Sequence, residues 1–310
     1  MTHQKKKKIF PPRLHPGDTI GIVAPAGSFE RKSIQPGLGF LSRMGFHTFV
    51  PENILGGKGY LAGSDEHRAG ILNDLFGDKA IKGIFCARGG FGSMKILSRI
   101  DYPLIRRNPK IFLGFSDISA ILYALYIRCG LVSFHGPVLT TLKGAGIMTK
   151  KSLISAVSSD EKKRIFSKGK KVISPGKAKG VVIGGNLTTL CHLIGTPFHP
   201  RFSGSILVLE DKGEPDYRID RMLTQMKLAG CFEGIAGIAL GSFLECGDES
   251  RIYELFEELF KAESIPILAG FEIGHDLENI TIPFGITATL DTETNSLHYH
   301  ESATADDFHE

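Results

Sequence analysis

The stretch I-F-L-G-F-S-D-I-S-A-I-L at residues 111–122 carries an apolar β-type run straight into a helical one, with Gly114 and Ser116 at the junction. A buried strand that turns at once into a helix is the repeating step of a parallel sheet with crossover helices. The segment that follows, D-I-S-A-I-L-Y-A-L-Y-I-R (117–128), is apolar nearly all round, which predicts a buried helix. The same alternation extends in both directions, from Thr19 to Val138. Its strand-like runs are T-I-G-I-V-A-P (19–25), H-T-F-V-P (47–51), K-G-I-F-C-A (82–87), I-F-L-G-F (111–115) and L-V-S-F-H (131–135). Between them, D-E-H-R-A-G-I-L-N-D-L-F (65–76) places Ala69, Leu72 and Phe76 on one helix face. The first half of the chain therefore reads as α/β with a parallel sheet.

The junction at Ser116 has the form of a nucleophile elbow. Such a turn lifts a hydroxyl clear of the sheet, and the helix behind it offers backbone N–H groups and the positive end of its dipole. Ile118 stands where the second glycine of that motif is usual. A serine at a helix start is also a common N-cap, and capping explains the local sequence as well as catalysis does.

A nucleophilic serine needs a base, and the base needs an orienting acid. His275 ends the run P-I-L-A-G-F-E-I-G-H (266–275) and opens the polar loop D-L-E-N, a position suited to a catalytic side chain. His135, after L-V-S-F, is its main rival. His192 reads as a packed histidine on an apolar helix face, and His298 and His300 flank Tyr299 without a third ligand that would make a metal site. Among the acids, Glu210 closes the apolar strand S-I-L-V-L, with Glu214 as its substitute and Asp211 read as a solvated loop residue. The loop A-R-G-G-F-G (87–92) can supply backbone donors to an oxyanion, or equally cradle a phosphate.

Beyond residue 142 the character of the chain changes. Residues 143–179 are rich in lysine and contain Gly169, Pro175 and Gly176, which reads as a linker with one helix inside it. Strand-like runs then recur at 180–184, 205–210, 237–241 and 280–290, and the clearest helix is 251–263, where Ile252, Leu255, Phe256, Leu259 and Phe260 form one stripe. The expected organisation is a first domain at 13–142 and a second at 180–300.

Composition narrows the function classes. With 310 residues, 42% of them apolar, the chain can bury a large core. Five scattered cysteines without a C-x-x-C pair suggest neither a disulfide framework nor a zinc knuckle, and a reducing, cytoplasmic setting fits them. After Lys5–Lys8 the apolar run is only Ile9-Phe10 before Pro11-Pro12, too short for a signal-peptide core, and no long apolar run predicts a membrane span. The net charge of +4 is local: residues 141–180 carry +9 and the remainder −5, which reads as a solvated stretch rather than a nucleic-acid surface.

Taken together, these segments resemble the LD-carboxypeptidase family of serine peptidases, which includes muramoyl-tetrapeptide carboxypeptidases and microcin-immunity peptidases. The resemblance covers roughly residues 13 to 295. It rests on P-G-D-T-I-G-I-V-A-P-A-G (16–27), A-R-G-G-F-G (87–92), G-F-S-D-I-S (114–119), F-H-G-P (134–137), G-G-N-L-T-T-L (184–190), L-V-L-E-D-K-G-E-P-D-Y-R-I-D-R-M-L (207–223) and Gly274-His275. It implies a flavodoxin-like N-terminal domain carrying the nucleophile and a C-terminal α+β domain containing a small β-barrel. It further implies a triad of Ser116, Glu210 and His275, an oxyanion hole from the backbone of Gly90 and Asp117, no metal or cofactor, and a homodimer. The implied reaction is removal of the terminal D-alanine from a murein tetrapeptide in the cytoplasm, with Arg88 as a candidate clamp for the substrate carboxylate. Two alternatives stand beside it: a microcin-immunity type of peptidase acting on a peptidyl-adenylate, and a non-enzymatic module that binds phosphate or nucleotide.

Overall fold

A computed structural model describes residues 7–57 and 59–306; Lys5 and Lys6 of the N-terminal lysine run and the last four residues of the tail lie outside that range. The chain divides into two compact units. One comprises the chain up to Asp160 with Thr281–Pro283 and the segment from Ala303 onward, and the other Glu161–Ile280 with Phe284–Ser302.

In the first unit, strands β1 (Thr19–Val23), β2 (His47–Phe49), β3 (Ile81–Cys86), β4 (Ile111–Gly114) and β5 (Ser133–His135) alternate with helices α1 (Gln35–Arg43), α2 (Asp65–Gly77), α3 (Ser93–Ile96), α4 (Tyr102–Arg107) and α5 (Ser119–Cys129), and α6 (Ile147–Ser158) follows. The second unit holds β6 (Arg164–Phe166), β7 (Lys171–Ser174), β8 (Lys177–Asn186), α7 (Leu187–Cys191), β9 (Ser205–Lys212), α8 (Asp216–Leu228), β10 (Gly237–Leu244), α9 (Glu249–Phe260) and β11 (Ile267–Ala269). Strands β12 (Ile282–Phe284), β13 (Thr287–Asp291) and β14 (Ser296–Tyr299) complete the chain.

The first sheet has the order β12-β5-β4-β3-β1-β2, and the five strands from β5 to β2 pair in parallel. Strand β4 is buried along its whole length, as a parallel strand covered on both faces must be, and it accordingly reads as an unbroken apolar run rather than an alternating one. Helix α2 starts where Ser64 accepts the His67 N–H at 3.1 Å, a side-chain N-cap. Helix α5 is buried on almost every side, as its sequence predicts. The strand order reverses between β1 and β3, and in sheets of this kind ligands bind beyond the carboxyl ends of the strands at that reversal.

The second sheet has eight strands in the order β6-β14-β13-β8-β9-β10-β11-β7. Its centre, β8 to β11, is parallel, while β13, β14, β6 and β7 join antiparallel. The strands that the resemblance implies as a small barrel thus form one mixed sheet, and chain geometry requires that sheet to curl. Its two outermost strands, β6 and β7, are joined by only the residues between Phe166 and Lys171, a reach of about 17 Å. Flat, the sheet would hold them about 34 Å apart. The connecting turn also touches both sides, with Ser167 N–H donating to Asn295 O at 2.9 Å and Lys168 N–H to Gly270 O at 3.0 Å.

Two expectations change in detail. The run 280–290 is not one strand: it splits into β12 and β13 at Gly285, whose φ of +91° breaks the extended path, and the halves belong to different sheets. The lysine-rich stretch 143–179 carries α6, β6 and β7 and the start of β8. Leu153, Ala156 and Val157 bury one side of α6, so its lysines decorate an ordinary amphipathic helix. All five cysteines are buried, and none is joined in a disulfide. Among the described residues no helix is long and apolar enough to cross a membrane.

Candidate active site

Strand β4 ends at Gly114 and Phe115 is extended, but Ser116 turns to φ +63° and opens a single 3₁₀ turn before α5. A non-glycine residue in this left-handed region costs roughly 1 kcal/mol and persists only where its surroundings enforce it. Those surroundings are visible: a Cβ on Gly114 would lie 2.7 Å from Ile118 Cγ2, so the side chain that replaces the second motif glycine folds back over the first. The N-cap position of α5 falls on Ile118, without a side-chain cap bond.

The residue after the serine binds the elbow to the glycine loop. Asp117 is buried, and its Oδ2 accepts the Ser93 N–H at 2.8 Å and is bonded to the Ser93 hydroxyl as well. Burial raises the proton affinity of this carboxyl above its ordinary value, with the Ser93 bonds opposing it. Ser93 directly follows loop 87–92, in which Gly90 adopts φ +95°. The loop is tied in turn to the segment after β1, since Gly27 N–H donates to Gly89 O at 3.0 Å and Ala87 N–H to Val23 O at 2.8 Å. The turns after β1, β3 and β4 thus meet at the strand-order reversal. Arg88 is exposed, and its Nη1 donates to Ser28 O at 2.6 Å.

In the second unit, Glu210 lies near the end of β9 and is completely buried, and His275 Nδ1 donates to its Oε2 at 2.6 Å. Burial disfavours the His275 imidazolium, but the hydrogen bond and charge of Glu210, with Asp211 adding to them, outweigh it and hold the proton affinity above the ordinary histidine value. The backbone on either side of this bond is fixed too. His275 N–H donates to Ser242 Oγ at 3.2 Å, and Gly274 N–H to Asn279 Oδ1 at 3.1 Å. Gly274 has φ +118°, and a Cβ there would lie 2.7 Å from Glu210 Oε2 and 2.8 Å from Ser242 Oγ. Gly274→Ala is accordingly expected to displace His275 and lower turnover about 100-fold; steady-state kinetics beside a thermal melt check it.

Asp211 requires a correction. It is not a solvated loop residue but a buried one within β9, accepting Asn186 Nδ2 at 2.9 Å, Thr188 N–H at 2.8 Å and Thr188 Oγ1 at 2.7 Å. These bonds consume the start of α7 and fix the carboxylate, which an isolated run of acids in the sequence cannot reveal. His192 is corrected as well: α7 ends at Cys191, and the histidine beyond it is exposed. His135 is buried at the end of β5 with its ring edge-on to Phe115 at 6.0 Å. Glu214 pairs with Arg218 at 3.4 Å, and Glu210 is the acid that meets a histidine. His298 and His300 stand 5.6 Å apart, and Thr289 Oγ1 is 2.8 Å from His300 Nε2.

Of the residues singled out in the sequence, the structure brings Glu210 and His275 together in the second unit, and joins Ser116, Asp117 and the loop of Arg88 and Gly90 in the first. Sequence reasoning missed Ser93, Ser242, Arg68 and Asn279. Only Asn279 left a trace, as the last residue of the polar loop after His275.

Comparison with known proteins adds an independent line. The chain matches two family descriptions, "LD-carboxypeptidase N-terminal domain" over residues 20–136 and "LD-carboxypeptidase C-terminal domain" over residues 179–290. It is 37% identical to a "Probable murein peptide carboxypeptidase" of Bacillus subtilis, with 91% of each chain covered. It is 31% identical to the "Murein tetrapeptide carboxypeptidase" of Pseudomonas aeruginosa, with 88% of this chain and 92% of that one covered. Among solved structures, an MccF-like protein from Bacillus anthracis matches with a TM-score of 0.87 at 26% identity, covering 94% of this chain and 99% of that chain.

Proposed function

Because the chain belongs to the LD-carboxypeptidase family, we propose that it is a serine carboxypeptidase that removes the terminal D-alanine from murein tetrapeptides without a metal. The observation that carries this reading is the 2.6 Å bond between His275 and the fully buried Glu210, which orients and charges a histidine for base catalysis. The strained turn at Ser116 supports the assignment of the nucleophile.

In the proposed reaction His275 accepts the Ser116 proton as the hydroxyl oxygen attacks the amide carbonyl. The N–H groups of Gly90 and Asp117 receive the oxyanion, Glu210 holds the imidazolium, and His275 passes its proton to the departing D-alanine. Water then repeats the sequence on the acyl-enzyme. Mass-spectrometric detection of D-alanine from a disaccharide-free tetrapeptide, with and without EDTA, tests the reading. Release in both is expected; no release, or release abolished by EDTA, overturns it.

A carboxypeptidase must hold its substrate's terminal carboxylate, and the exposed guanidinium of Arg88, in the same loop as Gly90, is suited to that in charge. Arg88→Ala is expected to lower kcat/KM about 10- to 100-fold, the worth of a hydrogen bond to a charged group. The loss should vanish for a substrate amidated at its C-terminus, and a change below about twofold on the free acid removes Arg88 from the site. The same reading includes a cytoplasmic location and a homodimer, the latter measurable by sedimentation.

A second reading draws on the likeness to MccF, solved in complex with glutamyl sulfamoyl guanosine and similar to this chain with a TM-score of 0.86. On that reading the substrate is a peptidyl-adenylate. Relative kcat/KM for the tetrapeptide and an aminoacyl sulfamoyl adenosine decides between them.

A further inference from the structure

Among the described lysines and arginines of the first unit Arg68 of α2 is the most deeply buried, its side chain having no exposure, and the proposed reaction gives it no part. Its donors fan out to three separate turns. Nε donates to Gly63 O at 3.2 Å, Nη1 to Gly92 O at 2.8 Å and also to Pro25 O, and Nη2 to Asp65 Oδ1 at 2.5 Å. Pro25 follows β1, Gly63 precedes α2, and Gly92 closes the loop that carries Gly90. One planar guanidinium therefore fastens the far end of the glycine loop to the turn after β1.

Burying a cation is costly, and Asp65, the acid that offsets this one, is itself shared with Lys95 Nζ at 3.6 Å. An apolar side chain of the same volume would fill the space without that cost. It could not hold three carbonyls, and lysine, whose three donors radiate from a single nitrogen, could not reach the separate positions that Nε and Nη1 of the planar fork serve here. Gly92 is also the residue before Ser93, which the Asp117 carboxylate grips from the elbow side. The loop is thus pinned from behind at two adjacent residues, by Arg68 through Gly92 and by Asp117 through Ser93. The Arg68 charge in turn favours the ionised form of Asp117.

We propose that Arg68 is a positioning residue for oxyanion stabilisation: its buried guanidinium holds loop 87–92 in the conformation that presents the Gly90 N–H to the developing charge. The inference rests on the serine-peptidase reading. A donor displaced from the oxyanion costs chemistry far more than ground-state binding, since the carbonyl of the bound substrate carries less charge than the tetrahedral species.

The test uses Arg68→Lys and Arg68→Gln in the full chain. Intact-mass titration with a fluorophosphonate counts labelled Ser116, so that kcat is expressed per competent site. Both variants are expected to lose about 10- to 100-fold in kcat per site with KM within about threefold. Affinity for a phosphonate analogue of the tetrapeptide should fall by the same factor while affinity for the tripeptide product stays level. A purely structural residue would lower the labelled fraction and the thermal midpoint and leave the rate per site intact. A per-site kcat within twofold of wild type overturns the proposal, as does failure of both variants to fold, which would make the clamp a condition of the fold. Wild type that neither labels nor releases D-alanine overturns the functional reading and this inference with it. Wild type that does both, beside variants that keep their rate, overturns this inference alone.

Discussion

Ser116→Ala is expected to reduce turnover by a factor on the order of 10⁴ to 10⁶, leaving the residual rate that binding and oxyanion donors provide without a nucleophile. The fluorophosphonate adduct on intact protein should disappear with it. The same position predicts a gain in stability from a different change. Because Ser116 sits at φ +63°, Ser116→Gly removes the left-handed strain and should stabilise the first unit by roughly 1 kcal/mol, whereas alanine keeps the strain. An inactive glycine variant that unfolds later than wild type, beside an inactive alanine variant that does not, is the expected pair of melts. Retention of adduct and activity in Ser116→Ala would dismiss Ser116 as nucleophile.

The second large effect belongs to Glu210. Glu210→Gln keeps the shape but removes the charge, and its amide can donate to Nδ1 and set the imidazole in the wrong tautomer. The expected loss in kcat is about 10³- to 10⁴-fold. The pH profile should move as well. His275 serves as base only when neutral, and its proton affinity is raised because the bond and charge of Glu210 outweigh burial. The acid limb of the wild-type profile therefore lies above the ordinary histidine value. In the glutamine variant burial acts without that support, and the limb moves to lower pH.

Stability follows the same sign. A group whose folded proton affinity is raised contributes stability that is fully present below its unfolded value and lost as pH rises through the folded one. The variant should thus lag wild type more at about pH 5.5 than at about pH 8.5. A profile that keeps its limb in place would show that Glu210 does not act through His275.

How much of this was legible beforehand differs between the halves of the chain. In the first unit the signals are local. A buried parallel strand must be apolar throughout, a crossover helix must show its own period, and the step from one to the other at Gly114–Ser116 lies within a few consecutive residues. The run 280–290 shows the limit of such reading: hydrophobic alternation predicts extended chain, but not that Gly285 sends its halves to different sheets. Asp211 and His192 mark the same limit for side chains. One acid among D-K-G-E in a row looks solvated until Asn186 and Thr188 close on it, and a histidine after an apolar stretch looks packed until the helix proves five residues long.

Ser116 as the residue on the turn, Glu210 in the last part of its strand, and the glycine loop were all determined by the sequence alone, since each depends on the spacing of neighbours along the chain, whereas the apolar run before His275 is strand only over Ile267–Ala269 and the histidine lies in the loop beyond it. Only the tertiary structure decided that Glu210 is the acid bonded to His275, that Asp117 grips Ser93, and that Arg68 fastens loops contributed by residues 25 and 92. The physical reason is the same in each case. A hydrogen bond between residues dozens of positions apart leaves no periodicity in the sequence, and a buried charge is recognisable only once the atoms that compensate it have been brought around it.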